Sequence, residues 1–199
     1  MEILDLNKSV DREIELAEGE EKIFIWRLFA PEKLSANIFF LLKEGAKLKN
    51  VFLFLARGEN DYSVNMRVVH AGGHSLSDTF IRGVGRQKSQ VRISGDARAD
   101  AEAKHAGIWL DGRALLFEDA NCRIDPRLEI LTSEVERAGH AAAVSKINDD
   151  DIFYMATRGV AKEEAEKLKS RGFLLAPLLR VGLGTAEAEA ITEPMLNGA

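Results

Sequence analysis

The sequence predicts an all-β domain over residues 1–148, followed by a small helical module over 149–199. Three observations lead there. Short β-branched and aromatic runs recur from about Lys22 to Leu131. Gly or Asp punctuates them: Gly45, Gly58, Gly72-Gly73, Gly83, Gly85, Gly95 and Asp119. From Asp149 the pattern changes to helix, rich in Ala, Glu and Lys.

In chain order, "KIFIWRLF" alternates, with Ile23, Ile25, Arg27 and Phe29 on one side and Phe24, Trp26 and Leu28 on the other. "NVFLFLA", "YSVNMRVVH", "DTFIRGV", "SQVRISG", "GIWL", "ALLF" and "RLEIL" follow as strands. Asp111-Gly112 reads as a tight hairpin turn between "GIWL" and "ALLF". The other connections are longer and carry small residues. Many short strands with such corners fit a stacked coil of strands, a sandwich or a barrel, and periodicity does not separate these. In the module, Asp149 to Asp151 supply an N-cap. "AKEEAEKLKSRGF" is a second helix with Ala161, Ala165 and Leu168 on its apolar face, a Glu163–Lys167 pair and Gly172 as C-cap. "FLLAPLLRVGL" reads as docking on the β core, with a partner surface as the alternative, and "TAEAEAITEPMLNGA" as a frayed tail.

Composition narrows the function classes. The chain has 199 residues, 46% hydrophobic and 30% charged, enough for one domain with a real core. Its net charge of −5 disfavours nucleic acid as a partner. No apolar run approaches a membrane span, and the N-terminus has no cationic start before an apolar run, so neither membrane insertion nor a secretory signal is expected. The single cysteine, Cys122, makes no internal disulfide and fits a reducing cytoplasm.

No catalytic kit stands out. "GVGRQKSQ" (83–90) is not a phosphate loop, because Gln87 and not glycine precedes Lys88, so ATP binding by this chain is not expected. His70 and His74 flank Gly72-Gly73 and read as surface or corner histidines, as does His105. Cys122 stands at a strand corner, where a lone cysteine reads as a small buried hydrophobe. His140 stands among small residues and reads as structural or as reachable by a partner. Asp96, Asp100 and Asp111 fall in corners without ladder spacing, which argues against a polysaccharide-cleaving β-helix.

Residues 127–173, "RLEILTSEVERAGHAAAVSKINDDDIFYMATRGVAKEEAEKLKSRGF", carry a further signal. They resemble the core-domain signature of the SufB/SufD family, the non-ATPase components of the SUF iron–sulfur cluster assembly machinery. Pro126, Leu128, Glu129, Ile130, Val135, His140, Phe153, Tyr154, Arg158, Gly159 and Ala165 fall on that pattern. The resemblance implies a right-handed parallel β-helix core with C-terminal helices and no enzymatic activity of its own. It also implies a SufC-like ABC ATPase as partner, and a homodimer or a heterodimer with another SufB/SufD-type subunit. Phe153, Tyr154, Arg158 and Gly159 then contact the ATPase, with the aromatic pair also anchoring its helix on the end of the coil. His140 and Cys122 become candidate ligands for iron or a transient iron–sulfur cluster, with no firmly bound cofactor. The SufD pattern has Cys where this chain has Ala138, and the SufB pattern has Glu where it has Ala141. The chain therefore reads as a short, SufD-like member, with a non-ligating structural subunit as the alternative.

Overall fold

Strand length and corner length together set the architecture. In the computed structural model, which describes residues 1–29 and 31–197, three shorter strands come first: β1 (Glu2–Asp5), β2 (Val10–Leu16) and β3 (Glu21–Leu28). Then come β4 (Lys33–Leu42), β5 (Lys47–Ala56), β6 (Asp61–His70) and β7 (Leu76–Gly85), each of ten residues. β8 (Gln90–Ala99), β9 (Gly107–Leu116), β10 (Asn121–Ile130) and β11 (Arg137–Lys146) keep that length. Each strand pairs in parallel with the strand two ahead, not with its sequence neighbour. The result is two sheets, β1-β3-β5-β7-β9-β11 and β10-β8-β6-β4-β2. The chain is thus a parallel β-solenoid. Lys33, Asp61, Gln90 and Asn121 stack in one column, so successive coils take 28, 29 and 31 residues.

The corners close by a shared device. Gly19, Gly45, His74 and His105 hold positive φ on one side, and Gly58, Gln87 and Glu118 on the other. The left-handed residue turns the chain through a short corner and aims its N–H at the next coil. The N–H groups of Gly19, Gly45 and His74 donate to the carbonyls of Glu44, Gly73 and Lys104 at 2.8, 2.9 and 2.8 Å. Inter-coil bonding therefore continues through the corners, which offsets the roughly 1–2 kcal/mol that a side chain costs in this region.

Inside the coil, Trp26, Phe40, Phe52, Phe54 and Tyr62 are fully buried. Gly83 leaves room for the Phe54 ring, since a Cβ there would lie 2.1 Å from it. The two outer faces differ. On the odd-numbered sheet Ile25, Val51, Leu53, Phe80, Val84 and Phe117 make an apolar face. On the even-numbered sheet the outer face is laced with ion pairs such as Arg92–Asp61 and Arg98–Asp100, at 2.5 and 2.6 Å. Two helices, α2 (Lys162–Arg180) and α3 (Thr185–Asn197), cover the apolar face. They contribute Leu174, Leu178, Val181, Ala188, Ile191 and Met195 to a second core. α1 (Asp149–Thr157) packs on α2.

Several expectations are corrected. Asp111-Gly112 is no hairpin turn: it lies inside β9, which joins "GIWL" to "ALLF". A Cβ at Gly112 would come 2.6 Å from Ile124 Cγ2, so the glycine serves packing, not turning. Asp96 also lies within a strand. Strands run from Glu2 to Lys146, beyond the range the sequence suggested, because parallel pairing to β9 recruits the alanine-rich "RAGHAAAVSK". Asn148, not an aspartate, caps α1, its Oδ1 accepting from Asp150 N at 3.0 Å, with the three aspartates in the first turn. Gly172 sits mid-helix in α2, whose C-cap is Val181. The i,i+4 pair on α2 is Lys162–Glu166 at 3.9 Å, not Glu163–Lys167. The "frayed" tail is α3 through Asn197, held by Ile191 and Met195, while residues 198–199 lie outside the described residues. The apolar "FLLAPLLRVGL" does dock on the sheet.

His70 is not at the surface. It ends β6 fully buried, its Nδ1 and Nε2 each 2.8 Å from Ser75 Oγ and Ser77 Oγ. Burial lowers its pKa to about 4. The unfolded chain, with an imidazole near 6.5, binds this proton first as pH falls. Stability is therefore full above about 6.5 and declines toward pH 4, by about 3 kcal/mol. Urea unfolding of the wild type and His70→Gln at pH 7.5 and 4.5 checks this: the wild type should lose about 3 kcal/mol more than the variant. Equal losses would refute it.

Candidate functional site

The last coil is where the solenoid stops. β10 pairs only with β8 and β11 only with β9, so among the described residues the ten-residue outer edges of both strands have no partner strand. The inward-facing row of this coil is incompletely covered, with Ile130 and Val144 exposed. His140 lies on that row: it pairs with core-facing Leu110 and is exposed.

Cys122 is the second residue of β10, inside the core and not at a corner. Burial pushes its thiol up to about 12, so at neutral pH it is protonated. Strands of the two sheets run in opposite directions, and Gly112, which pairs with Ala142, faces Ile124. His140 is two residues before Ala142 and so stands level with Pro126, four residues from Cys122. At about 3.3 Å per residue the two are displaced by about 13 Å along the strand. The fold places both on the last coil but does not bring them together. Among the described residues no group of three or more His, Cys, Asp or Glu is arranged to hold a metal ion.

The α1 residues stand apart from this coil. Ile152 turns inward, while Phe153 and Tyr154 are 71% and 59% exposed. The aromatic pair therefore does not anchor α1 on the coil. The Asp151–Lys169 bridge at 2.5 Å joins it to α2 instead. The Arg158 guanidinium lies 5.2 Å over the Tyr154 ring. Gly159, at φ 84, makes the left-handed turn that closes α1.

Sequence reasoning missed a charged cluster between β7, β9 and α2. Arg82 Nη2 donates to Asp111 Oδ2 at 2.6 Å and its Nη1 to Asp111 O at 2.9 Å. Arg113 Nε donates to Asp111 Oδ1 at 3.0 Å, and Arg180 of α2 stands 3.6 Å from Oδ2. Burial acts to raise the Asp111 pKa, but the bonds from Arg82 and Arg113 outweigh it and hold the carboxyl below its ordinary value. The available signal was Asp111 and Arg113 two apart, on one face of a strand.

Residues 34–173 match the family described as SUF system FeS cluster assembly, SufBD core domain. The chain belongs to the SufBD core domain family. Similar proteins include the iron-sulfur cluster assembly protein SufD of Bacillus subtilis, 29% identical over 144 residues, covering 72% of this chain and 33% of that protein. A SufBD family protein of Methanothermobacter thermautotrophicus is 30% identical over 132 residues, 65% of this chain and 32% of that one. The SufB protein of B. subtilis is 24% identical over 132 residues, 66% and 28%. The chain thus spans about a third of the length of these relatives. The matched range runs from β4 into α2, so this SufBD core includes His140, Cys122 and all of α1.

Two outcomes test the geometry. Native Cys122 should react with an alkylating reagent at pH 8 about a thousandfold more slowly than in urea, because its thiolate fraction falls tenfold per unit of raised pKa. Similar rates in both would refute the burial. Asp111→Ala leaves the buried Arg82 uncompensated and should cost about 3–5 kcal/mol in urea unfolding; a loss under 1 kcal/mol would show that Asp111 does not hold this junction.

Proposed function

We propose that this chain is a scaffold component of iron–sulfur cluster assembly, working in the cytoplasm with a SufC-type ABC ATPase docked on α1 and the start of α2. The observation that carries this reading is the bare aromatic pair Phe153 and Tyr154, in a segment that matches the SufBD core. A soluble protein seldom leaves two adjacent large aromatics this open without a partner, and aromatics carry much of the binding energy at interfaces. Arg158 stacked on Tyr154 and the Gly159 turn hold the pair in place.

The free edges of β10 and β11 support pairing with a second copy or with another SufB/SufD-type subunit, since an open parallel edge offers unpaired N–H and C=O groups. The cluster is cargo in this scheme. His140, exposed at the edge, offers an imidazole nitrogen to iron. Cys122 joins only when the last coil opens, as relative motion of two subunits driven by the partner's ATP hydrolysis would achieve. Further ligands come from the second subunit.

A second reading is a structural subunit that holds no cluster. The buried, protonated thiol displaced about 13 Å along the strand from His140 favours it. Anaerobic co-expression with a SufC-type ATPase, size-exclusion chromatography and iron and sulfide analysis separate the two. A co-eluting complex is expected, weakened at least tenfold by Phe153→Ala with Tyr154→Ala. Iron lost in Cys122→Ser or His140→Ala supports the scaffold. Iron absent, or indifferent to both changes, selects the structural subunit. An ATPase that never co-elutes would overturn the docking role.

A further inference from the structure

The corners at Arg57, Arg86 and Glu118 pass under the seam between α2 and α3, leaving a groove of about 590 Å³. This is the size of small-molecule sites. No residue of β10, β11 or α1 lines it; Glu163 and Lys167 reach it from the first half of α2. Its apolar lining is Leu55 and Leu196, and three cations face it: Arg57, Arg86 and Lys167.

The charges do not match. Arg86 is satisfied: it bonds Glu166, stands 3.8 Å from Glu118 and lies 4.5 Å over the Phe117 ring. Glu118 is also engaged, accepting from Gln87 N. Arg57 is different. It is half-buried, and among the described residues its one side-chain bond goes from Nη2 to the Met195 carbonyl at 2.9 Å. Among the described residues no carboxylate lies within 4.0 Å of it, and the charge of Arg86 works against its own. Lys167 likewise has no carboxylate within 4.0 Å and makes no side-chain hydrogen bond among the described residues. Glu163 is the one groove carboxylate without a cation within that distance among the described residues. Two unmatched cations therefore face one unmatched carboxylate, across an opening between three coil corners and two helices.

We propose that this groove binds a compact multivalent oxyanion of the phosphate class, bridged between Arg57 and Lys167. The free N–H groups of a guanidinium form a planar fork suited to phosphate oxygens, and an ammonium adds a point charge opposite. Such a ligand supplies the negative charge that the groove lacks. Because Arg57 belongs to the solenoid and Lys167 to α2, the bound anion ties the helical module to the coil.

The test is calorimetric titration of the full chain with pyrophosphate at low ionic strength, beside thermal unfolding. Saturable one-to-one binding and a raised unfolding midpoint are expected. Lys167→Gln should weaken binding about tenfold and Arg57→Gln should abolish it. Glu163→Gln should strengthen it several-fold, whereas Arg127→Gln, on the other sheet, should leave it unchanged. Arg57→Gln also removes a bond to α3, so Lys167 and Glu163, both exposed, carry the decision. No saturable binding in the wild type, or equal affinity in Lys167→Gln and Glu163→Gln, would overturn the proposal.

Discussion

Everything in this molecule depends on the parallel register that stacks each strand on the strand two behind it. That register lets ten-residue strands alternate between two sheets and aligns their inner rows into a main core, with a smaller cluster of Ala97, Ala99, Ile108 and Leu128 beside it. From β4 to β11 it tolerates length changes only at the corners, which vary while these strands all keep ten residues. The left-handed corner residues follow from it, since a short corner has to reverse the chain and still present an N–H to the next coil. The fixed register also dictates reciprocal sizes along the rows. Phe54 needs Gly83, and Ile124 needs Gly112.

A coil has two outsides, and here the sequence treats them differently. The even-numbered sheet carries Arg, Asp and Glu on its outer face and stands in water. The odd-numbered sheet carries Ile, Val, Leu and Phe and needs a cover. Helices α2 and α3 supply it, with Lys49, Arg27 and Arg57 of the solenoid donating to the carbonyls of Val181, Ile191 and Met195. Within this apolar seam the Asp111 cluster sets position more than it adds stability. A buried ion pair of this kind roughly offsets its own desolvation, but it accepts only one placement of α2, the one that brings Arg180 to Asp111. The helical module is therefore not a loose appendage: it shares a core with the sheet it covers.

Much of this was legible in the sequence and some was not, for physical reasons. The strands announced themselves by β-branched and aromatic runs, and the switch to helix by the aspartate cluster at 149–151. β11 did not, because an alanine-rich strand has no intrinsic β preference and forms by pairing with β9. Asp111-Gly112 misled because local turn chemistry is overridden when a guanidinium two strands away in sequence satisfies the aspartate. α3 looked like a tail because its buried residues, Ala188, Ile191 and Met195, are sparse, and the sheet face they cover is remote in sequence. Of the candidate site, the motif residues were readable but their environments were not. Nothing local to "FYMATRG" tells that Ile152 is the buried residue and Phe153 the open one. A lone cysteine in "ANCRID" reads as buried, as it is, but nothing there tells that it lies within β10 and not at a corner.

The placement of Cys122 and His140 bears directly on how such a scaffold can work. A thiol with a pKa near 12 is a poor ligand, and the interior that raises it is the same inner row on which His140 lies. Chemistry at Cys122 therefore requires the last coil to loosen. The last coil is one of the two open ends of the solenoid: among the described residues the outer edges of β10 and β11 have no partner strand, and Ile130, Leu131 and Val144 are exposed. Strand pairing is thus incomplete on the coil that holds the one cysteine. A partner strand on either edge would stabilise the closed coil, and withdrawing it would lower the cost of opening. A machine that moves two such subunits against each other would then control thiol exposure through strand pairing, with no change required in the other coils.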